Sequence, residues 1–186
     1  MSIEMVTIFS SLKKSFKRLF IFLPLIIGLI VTPIPTNALY PSDPSSVDVL
    51  KEDLHGKDLQ NTEYVKYDLS GQDLGESNLQ GAYMSVTTAK NASFKGANMK
   101  DLIAYATRFD NADLSDANLT NGELMKSVFD GALIDGTDFT DANLDLSQRK
   151  SLCARATGTN SKTGIDTVDS LECTGLKGYT PPTPKA

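Results

Sequence analysis

Ala112-Asp113-Leu114-Ser115-Asp116-Ala117-Asn118-Leu119-Thr120-Asn121 is one five-residue phrase written twice. Its apolar centre recurs every fifth residue in both directions. Upstream the centres are Leu54, Leu59, Tyr64, Leu69, Leu74, Leu79, Met84, Ala89, Phe94, Met99, Ala104 and Phe109. Downstream they are Leu124, Phe129, Ile134, Phe139 and Leu144. Nineteen consecutive apolar residues thus hold one register in a chain only 40% apolar, which chance does not produce. Two residues before the centre stands Ala, Gly, Ser or Thr in fourteen of the nineteen, and two residues after it stands Gly, Asn or Asp in thirteen. The residue just before the centre is often Asp or Asn, as at Asp113, Asn118 and Asn143.

An α-helix cannot use this spacing. Five residues advance about 500°, so successive centres drift by about 140° and never share a stripe. Extended backbone can use it. The centre and the small residue two before it share one side, and the residues flanking the centre share the other. Gly, Asn and Asp two residues after the centre tolerate left-handed torsions and restart the count. Each pentapeptide is then one short side of a coil, with a small and a large apolar group facing in.

The phrases at 112–121, with Ala142-Asn143-Leu144, resemble the A(D/N)LxX motif of the pentapeptide-repeat family, and the resemblance covers residues 52–146 without a gap. It implies an all-β fold: a right-handed quadrilateral β-helix, four repeats per coil and just under five coils, about 23 Å long at strand spacing. Centres four repeats apart then stack. The first face carries Leu54, Leu74, Phe94, Leu114 and Ile134; the second carries Leu59, Leu79, Met99, Leu119 and Phe139. The third carries Tyr64, Met84, Ala104, Leu124 and Leu144; the fourth carries Leu69, Ala89, Phe109 and Phe129. Most of these side chains should contribute about 1.5–3 kcal/mol each on burial, against an ordering cost of similar total size. Leu102 fills a small slot beside Ala104, so the two volumes exchange and the core stays filled. Glu52, Lys57 and Gln72 are polar in inward slots, and a loose or irregular first coil is expected from them.

The register ends after Leu144, because Arg149 would be the next centre. Residues 147–175 are expected to form a C-terminal cap, with short helices within 146–157 and 168–173. Cys153 and Cys173 are the only cysteines, and an even pair in an exported chain reads first as a disulfide. A structural clip and a reducible regulatory bond both remain open. Cys153, Gly158-Thr159-Asn160, Thr163-Gly164, Ser170-Leu171 and Cys173 resemble the tail of cyanobacterial and plastid thylakoid-lumen members of the family. That resemblance implies a lumenal or periplasmic home. Residues 176–186 are Pro-rich and expected to be disordered.

The N-terminus reads as an export signal over residues 1–38. Lys13, Lys14, Lys17 and Arg18 precede an apolar run from Leu19 to Val31, and Thr36-Asn37-Ala38 suits cleavage after Ala38. The alternative, a retained anchor, needs roughly twenty apolar residues, and this run falls short. With no Arg-Arg pair and no Cys after the run, a Sec-type route is expected. Residues 39–51 form an N-terminal arm. The leader carries four basic residues and one acidic residue, so the remainder holds 14 basic against 22 acidic, a net charge of −8. Such an acidic chain offers no footprint for phosphate backbones, and no nucleic-acid partner is expected, nor a membrane one after cleavage.

No catalytic constellation, cofactor motif or metal set is present. His55, the single histidine, sits on an outward position without a Cys or Ser partner at a defined spacing. The acids Asp53, Asp73 and Asp113 recur on one face because the repeat prefers them, and bare coils without loop insertions form no cleft for paired carboxylates. One His and two Cys make no four-ligand zinc site without carboxylates. The exception to a polar surface lies on the third face. Val65, Tyr83, Ile103, Tyr105 and Met125 point outward where the second face is polar throughout, with Val128 around the corner. They form a candidate partner patch; scattered surface hydrophobes, or cover by the arm at 39–51, are the competing readings. A non-enzymatic scaffold for an unknown protein partner follows, its disulfide structural or redox-sensitive. A gyrase-directed DNA mimic, a role known for some acidic members, is the alternative, and the leader argues against it because gyrase is not exported.

Overall fold

From Leu59 to Leu144 every pentapeptide follows the same backbone course. The structure, a computed structural model, describes residues 53–181. The expected leader, the arm at 39–51 and residues 182–186 lie outside them. In each repeat the residue before the centre makes a parallel bridge, and every such bridge joins residues twenty apart, from Asp58 with Asn78 to Glu123 with Asn143. A residue and the one stacked upon it are therefore separated by four pentapeptides. This is a β-helix whose sheets are one bridge wide.

Its hydrogen bonds follow one scheme. The centre's N–H donates to the next coil, as Leu114 N does to Leu133 O at 2.8 Å. The N–H before the centre donates to the previous coil, as Asn118 N does to Ala97 O at 3.0 Å. At each corner the chain closes a four-residue turn, for example Ala97 N to Phe94 O at 3.0 Å. The corner residue, two after the centre, stands at φ between +54° and +70° in every repeat from Gly56 to Asp141. A turn with φ > 0 at its third position favours Gly or Asn, which explains that column.

Both inward columns are buried. The centres from Leu69 to Leu144 and the small residues from Ser77 to Thr137 form the core, and Leu102 and Ala104 are both fully enclosed. Phe109 stacks on Phe129 with centroids 5.2 Å apart and meets Phe94 edge-on at 5.7 Å. Buried hydroxyls fill part of the small column: Thr87, Thr107 and Ser127 donate to the carbonyls of Tyr64, Met84 and Ala104 in the coil below.

The first coil corrects one expectation. Its register is regular, because Leu59 N–Asn78 O and Asn78 N–Lys57 O, both 2.8 Å, tie it to the second coil whatever its side chains are. Only burial is reduced: Leu54, Leu59, Tyr64 and Tyr67 are half-buried. Tyr67 occupies a small slot and lies edge-on to Tyr64, centroids 5.8 Å apart.

At the other end the cap replaces the missing coil. Helix α1, Leu146–Cys153, follows the last pentapeptide. Gln148 accepts the Asp145 N–H through Oε1 at 2.6 Å and donates through Nε2 to Leu124 O at 3.1 Å and to Ser127 O. Arg155 donates to Phe129 O at 2.6 Å and Ala132 O at 3.3 Å, and Ser170 Oγ accepts the Phe139 N–H at 3.0 Å. Side chains thus answer the backbone groups an open edge would leave unpaired. Helix α2, Thr167–Ser170, is capped by Asp166, and a 3₁₀ turn, Cys173–Gly175, follows. Cys153 and Cys173 are joined by a disulfide with Cα atoms 5.6 Å apart, and both are buried. Leu176 and Tyr179, placed in the expected disordered tail, pack against the core, so the ordered chain extends past 175.

Between the helices a short hairpin turns back along the coils. Thr159 pairs with Asp166 antiparallel, and the segment lies along the corner column Glu76, Gly96, Asp116 and Gly136. Asn160, 1% exposed, donates its amide to Asp116 O at 3.0 Å, Ala117 O at 3.2 Å and Gly136 O at 2.8 Å. Lys162 Nζ reaches Glu76 Oε2 at 2.6 Å and Gly96 O at 2.5 Å. Gly158 lies so close that a Cβ there would meet Asp135 Oδ1 at 2.5 Å and Gly136 N at 2.7 Å. This strap supplies a physical reason for Gly158 and Asn160 at their places in the tail.

Candidate functional site

Alternation along extended backbone sets what each face shows. On the second face the outward column is a hydrogen-bonded ladder: Asn98 Nδ2 donates to Asn78 Oδ1 at 2.9 Å, and Asn78 Nδ2 to Asp58 Oδ1 at 3.2 Å. On the first face His55 Nδ1 lies 3.2 Å from Asp73 Oδ2. The Gly75 N–H, and then His55, hold the Asp73 carboxyl below its ordinary range. Ser70 does the same to Asp68, and Arg108 to Asp110, 2.8 Å away. Carboxylates shifted down carry no proton to donate near neutral pH, so Asp68, Asp73 and Asp110 stand there as ionised hydrogen-bond acceptors.

The third face differs. Tyr83 and Tyr105 are 47% and 42% exposed, while Val65, Ile103 and Met125 beside them are half-buried. Tyr83 and Ile103 are bridge partners in adjacent coils. Val86, at the corner after Met84, is 52% exposed and extends the apolar surface; sequence reading left it out, because the corner column was read only for turn residues. Lys126 Nζ lies 5.0 Å above the Tyr105 ring, a cation–π contact. Glu123 Oε2 accepts the Asn143 amide at 2.7 Å. All five residues of the candidate patch thus fall on one face. Leu133, 59% exposed on the first face, stands apart from them and was also overlooked.

The other candidate pair, Cys153 and Cys173, lies inside the cap beside Leu152 and Leu171, closed from solvent. Exchange requires a thiolate to reach a sulfur, so reduction requires the cap to open. Two concavities flank the cap. One, about 280 Å³, lies between α1 and the fourth face near Val128, Asp130 and Ser151. The other, about 310 Å³, is lined by Asp141, Asn143, Arg149 and Glu172, with Arg149 and Glu172 paired at 3.0 Å. Neither groups residues as an acid–base or nucleophile–base constellation.

Coils of this construction, closed by a cap and bare of catalytic groupings among the described residues, define a solenoid of pentapeptides. The family model described as pentapeptide repeats matches eight copies over residues 68–101 and 107–145. A pentapeptide repeat protein from the Arabidopsis thaliana thylakoid lumen, of solved structure, is 32% identical and aligns over 66% of this chain and 92% of its own, with a TM-score of 0.27. This chain belongs to the pentapeptide-repeat family. Thylakoid lumenal protein TL20.3 of the Arabidopsis thaliana chloroplast is 58% identical over 43 residues, which span 23% of this chain and only 15% of that protein. The cyanobacterial pentapeptide repeat protein Rfr23 from Cyanothece 51142 is 26% identical over 45% of this chain and 57% of its own, TM-score 0.24.

Proposed function

We propose that this protein is a non-enzymatic, rigid interaction scaffold of the thylakoid lumen or periplasm, presenting its third face to a protein partner. The coil is the right-handed quadrilateral form of just under five turns, preceded by a cleaved leader at 1–38 and an arm at 39–51. The observation that carries the reading is the contrast between faces. Tyr83, Val86 and Tyr105 stay exposed on a coil whose second face is an ordered polar ladder. Nothing in the coil's own packing requires apolar groups there, and exposed apolar patches mark contact surfaces. The lumenal relatives support the location. Burial of Cys153 and Cys173 favours the structural clip over a redox-sensitive one.

The test is Tyr83→Ser combined with Tyr105→Ser in protein recovered by crosslinking from the native compartment. The melting temperature should stay nearly constant, since exposed positions usually matter by less than about 0.5 kcal/mol. Partner recovery should vanish, because aromatic anchors carry much of an interface's energy. Intact recovery refutes the reading. A large loss of stability would instead mean that the patch is covered from within the chain.

A further inference from the structure

Each coil turns four corners, and one of them breaks the rule the others keep. The corners after the first, second and fourth faces are Gly, Asn or Asp at every level save Glu76. The corner after the third face is Lys66, Val86, Ala106 and Lys126, at φ +63°, +60°, +54° and +61°. None of these residues favours left-handed torsions, and a β-branched residue there is an outlier. Strain of this kind persists where surrounding structure imposes it, and it concentrates at functional positions. The side chains concerned face solvent beside Tyr83 and Tyr105, so what they serve lies outside the coil.

Charge on the same face indicates what that is. At the level of Leu124, Glu123 stands in the column before the centre and Lys126 in the corner column; Glu63 and Lys66 occupy the same two columns three coils earlier. The two levels between them are apolar in both columns, with Tyr83 and Ile103 on one side and Val86 and Ala106 on the other. Lys126 is held over Tyr105 and Glu123 by Asn143, so neither charge swings free of the face.

Such a surface matches itself. A two-fold axis parallel to the stack keeps each level but exchanges its columns. Glu123 then meets Lys126 of the second copy, and Lys126 meets its Glu123. Tyr83 meets Val86, Ile103 meets Ala106, and the column of Val65, Ser85, Tyr105 and Met125 lies along the axis. An axis across the stack does the reverse: Glu63 would face Glu123, and Lys66 would face Lys126, and like charges opposed across an interface are repelled. We propose that the third face pairs two copies of this chain side by side, with their coils parallel. This rests on the reading of the third face as a contact surface. The stripe spans four coils, roughly 15–20 Å of stack. A stripe this short presents a small interface, and small interfaces dissociate readily, so the pairing is reversible.

Sedimentation velocity of the purified protein, from about 5 µM to about 1 mM at low salt, tests this, because weak pairs populate over that range. A rise from one-chain to two-chain mass is expected, weakened in 0.5 M salt by screening of Glu123 and Lys126, roughly as the shortened Debye length predicts. Glu123→Lys and Lys126→Glu should each raise the midpoint by about tenfold, and their combination should return it near the wild type, because opposed like charges become opposed partners again. Circular dichroism establishes that the exposed charge variants remain folded. One-chain mass throughout overturns the proposal. So does tighter pairing of either single variant, the signature of antiparallel coils. If copies fail to pair while Tyr83→Ser with Tyr105→Ser still abolishes recovery of a different partner, self-pairing fails and the contact-surface reading stands. If neither pairing nor loss of recovery is seen, both fail.

Discussion

Asn160 offers the sharpest test of how the cap holds the coils. Its amide group donates to three carbonyls, and its Oδ1 accepts the N–H groups of Lys162 and Thr163, both at 2.9 Å. Asn160→Ala removes all five contacts, but they do not count equally. Ala117 O keeps the Asp138 N–H at 2.9 Å, and the two strap N–H groups lie at an exposed turn where water can replace Oδ1. Asp116 O and Gly136 O have no other hydrogen-bond donor among the described residues. An acceptor stranded in the interior costs about 1–3 kcal/mol, and partial water entry at Asp116 puts the pair near 3 kcal/mol. At about 2–4 °C per kcal/mol for a chain of this size, the melting temperature should fall by roughly 6–12 °C. Asn160→Asp separates the two roles of the side chain. It keeps the acceptor for Lys162 and Thr163 but directs an ionised oxygen at three carbonyls, so it should be worse than alanine at neutral pH. Acid should narrow the gap, since a protonated carboxyl donates one bond. Thermal melts followed by circular dichroism give the order wild type, Ala, Asp. A fall under about 2 °C for Asn160→Ala, less than one kcal/mol, refutes the triple-donor account, as does wild-type behaviour in Asn160→Asp.

Phe109→Asp should remove the β signal by placing an unpaired charge between Phe94 and Phe129, a cost of several kcal/mol; an unchanged melting temperature means the inward register is wrong. Val86→Gly should leave the protein as stable or raise it by up to about 1 kcal/mol, the relief of left-handed strain outweighing glycine's added freedom when unfolded; a loss above about 1 kcal/mol contradicts a strained corner. Alkylation of protein isolated without reductant should label neither Cys153 nor Cys173, and replacing both by serine should cost about 3 kcal/mol for a loop of this length; two labelled thiols reject the bond.

The solenoid was legible because its signal is local and repeated. Alternation decides within five residues which side chain faces in, so the columns and the exposure of Tyr83 and Tyr105 could be read without knowing what stacks on what. The cap was legible only in outline. Asn160 and Lys162 make contacts 24 to 86 residues away, and no period announces such partners. Their motif stood out by resemblance, while its cause, close approach to Gly136 and the coil carbonyls, required the structure. Val86 was missed for a related reason. Taken alone, valine predicts extended backbone, and only coils above and below, hydrogen-bonded through Val86 N–Tyr105 O at 2.9 Å, hold it left-handed. Tyr67 was overlooked because an open coil end tolerates a large ring in a column that interior levels fill with Gly, Ala, Ser or Thr, Leu102 excepted.

The twenty-residue spacing of the bridges governs how this molecule can change length. A duplication of one pentapeptide between Tyr83 and Tyr105 would rotate everything downstream by a quarter turn. Tyr105 would leave the face of Tyr83, and the strap would lose either Asp116 or its place beside Glu76. A duplication of a whole coil upstream of Glu76 keeps every column aligned and lengthens only the part the strap does not touch. Pentapeptides are the grammar of the sequence, but the coil is the unit in which descendants of this chain can grow or shrink without scrambling their faces.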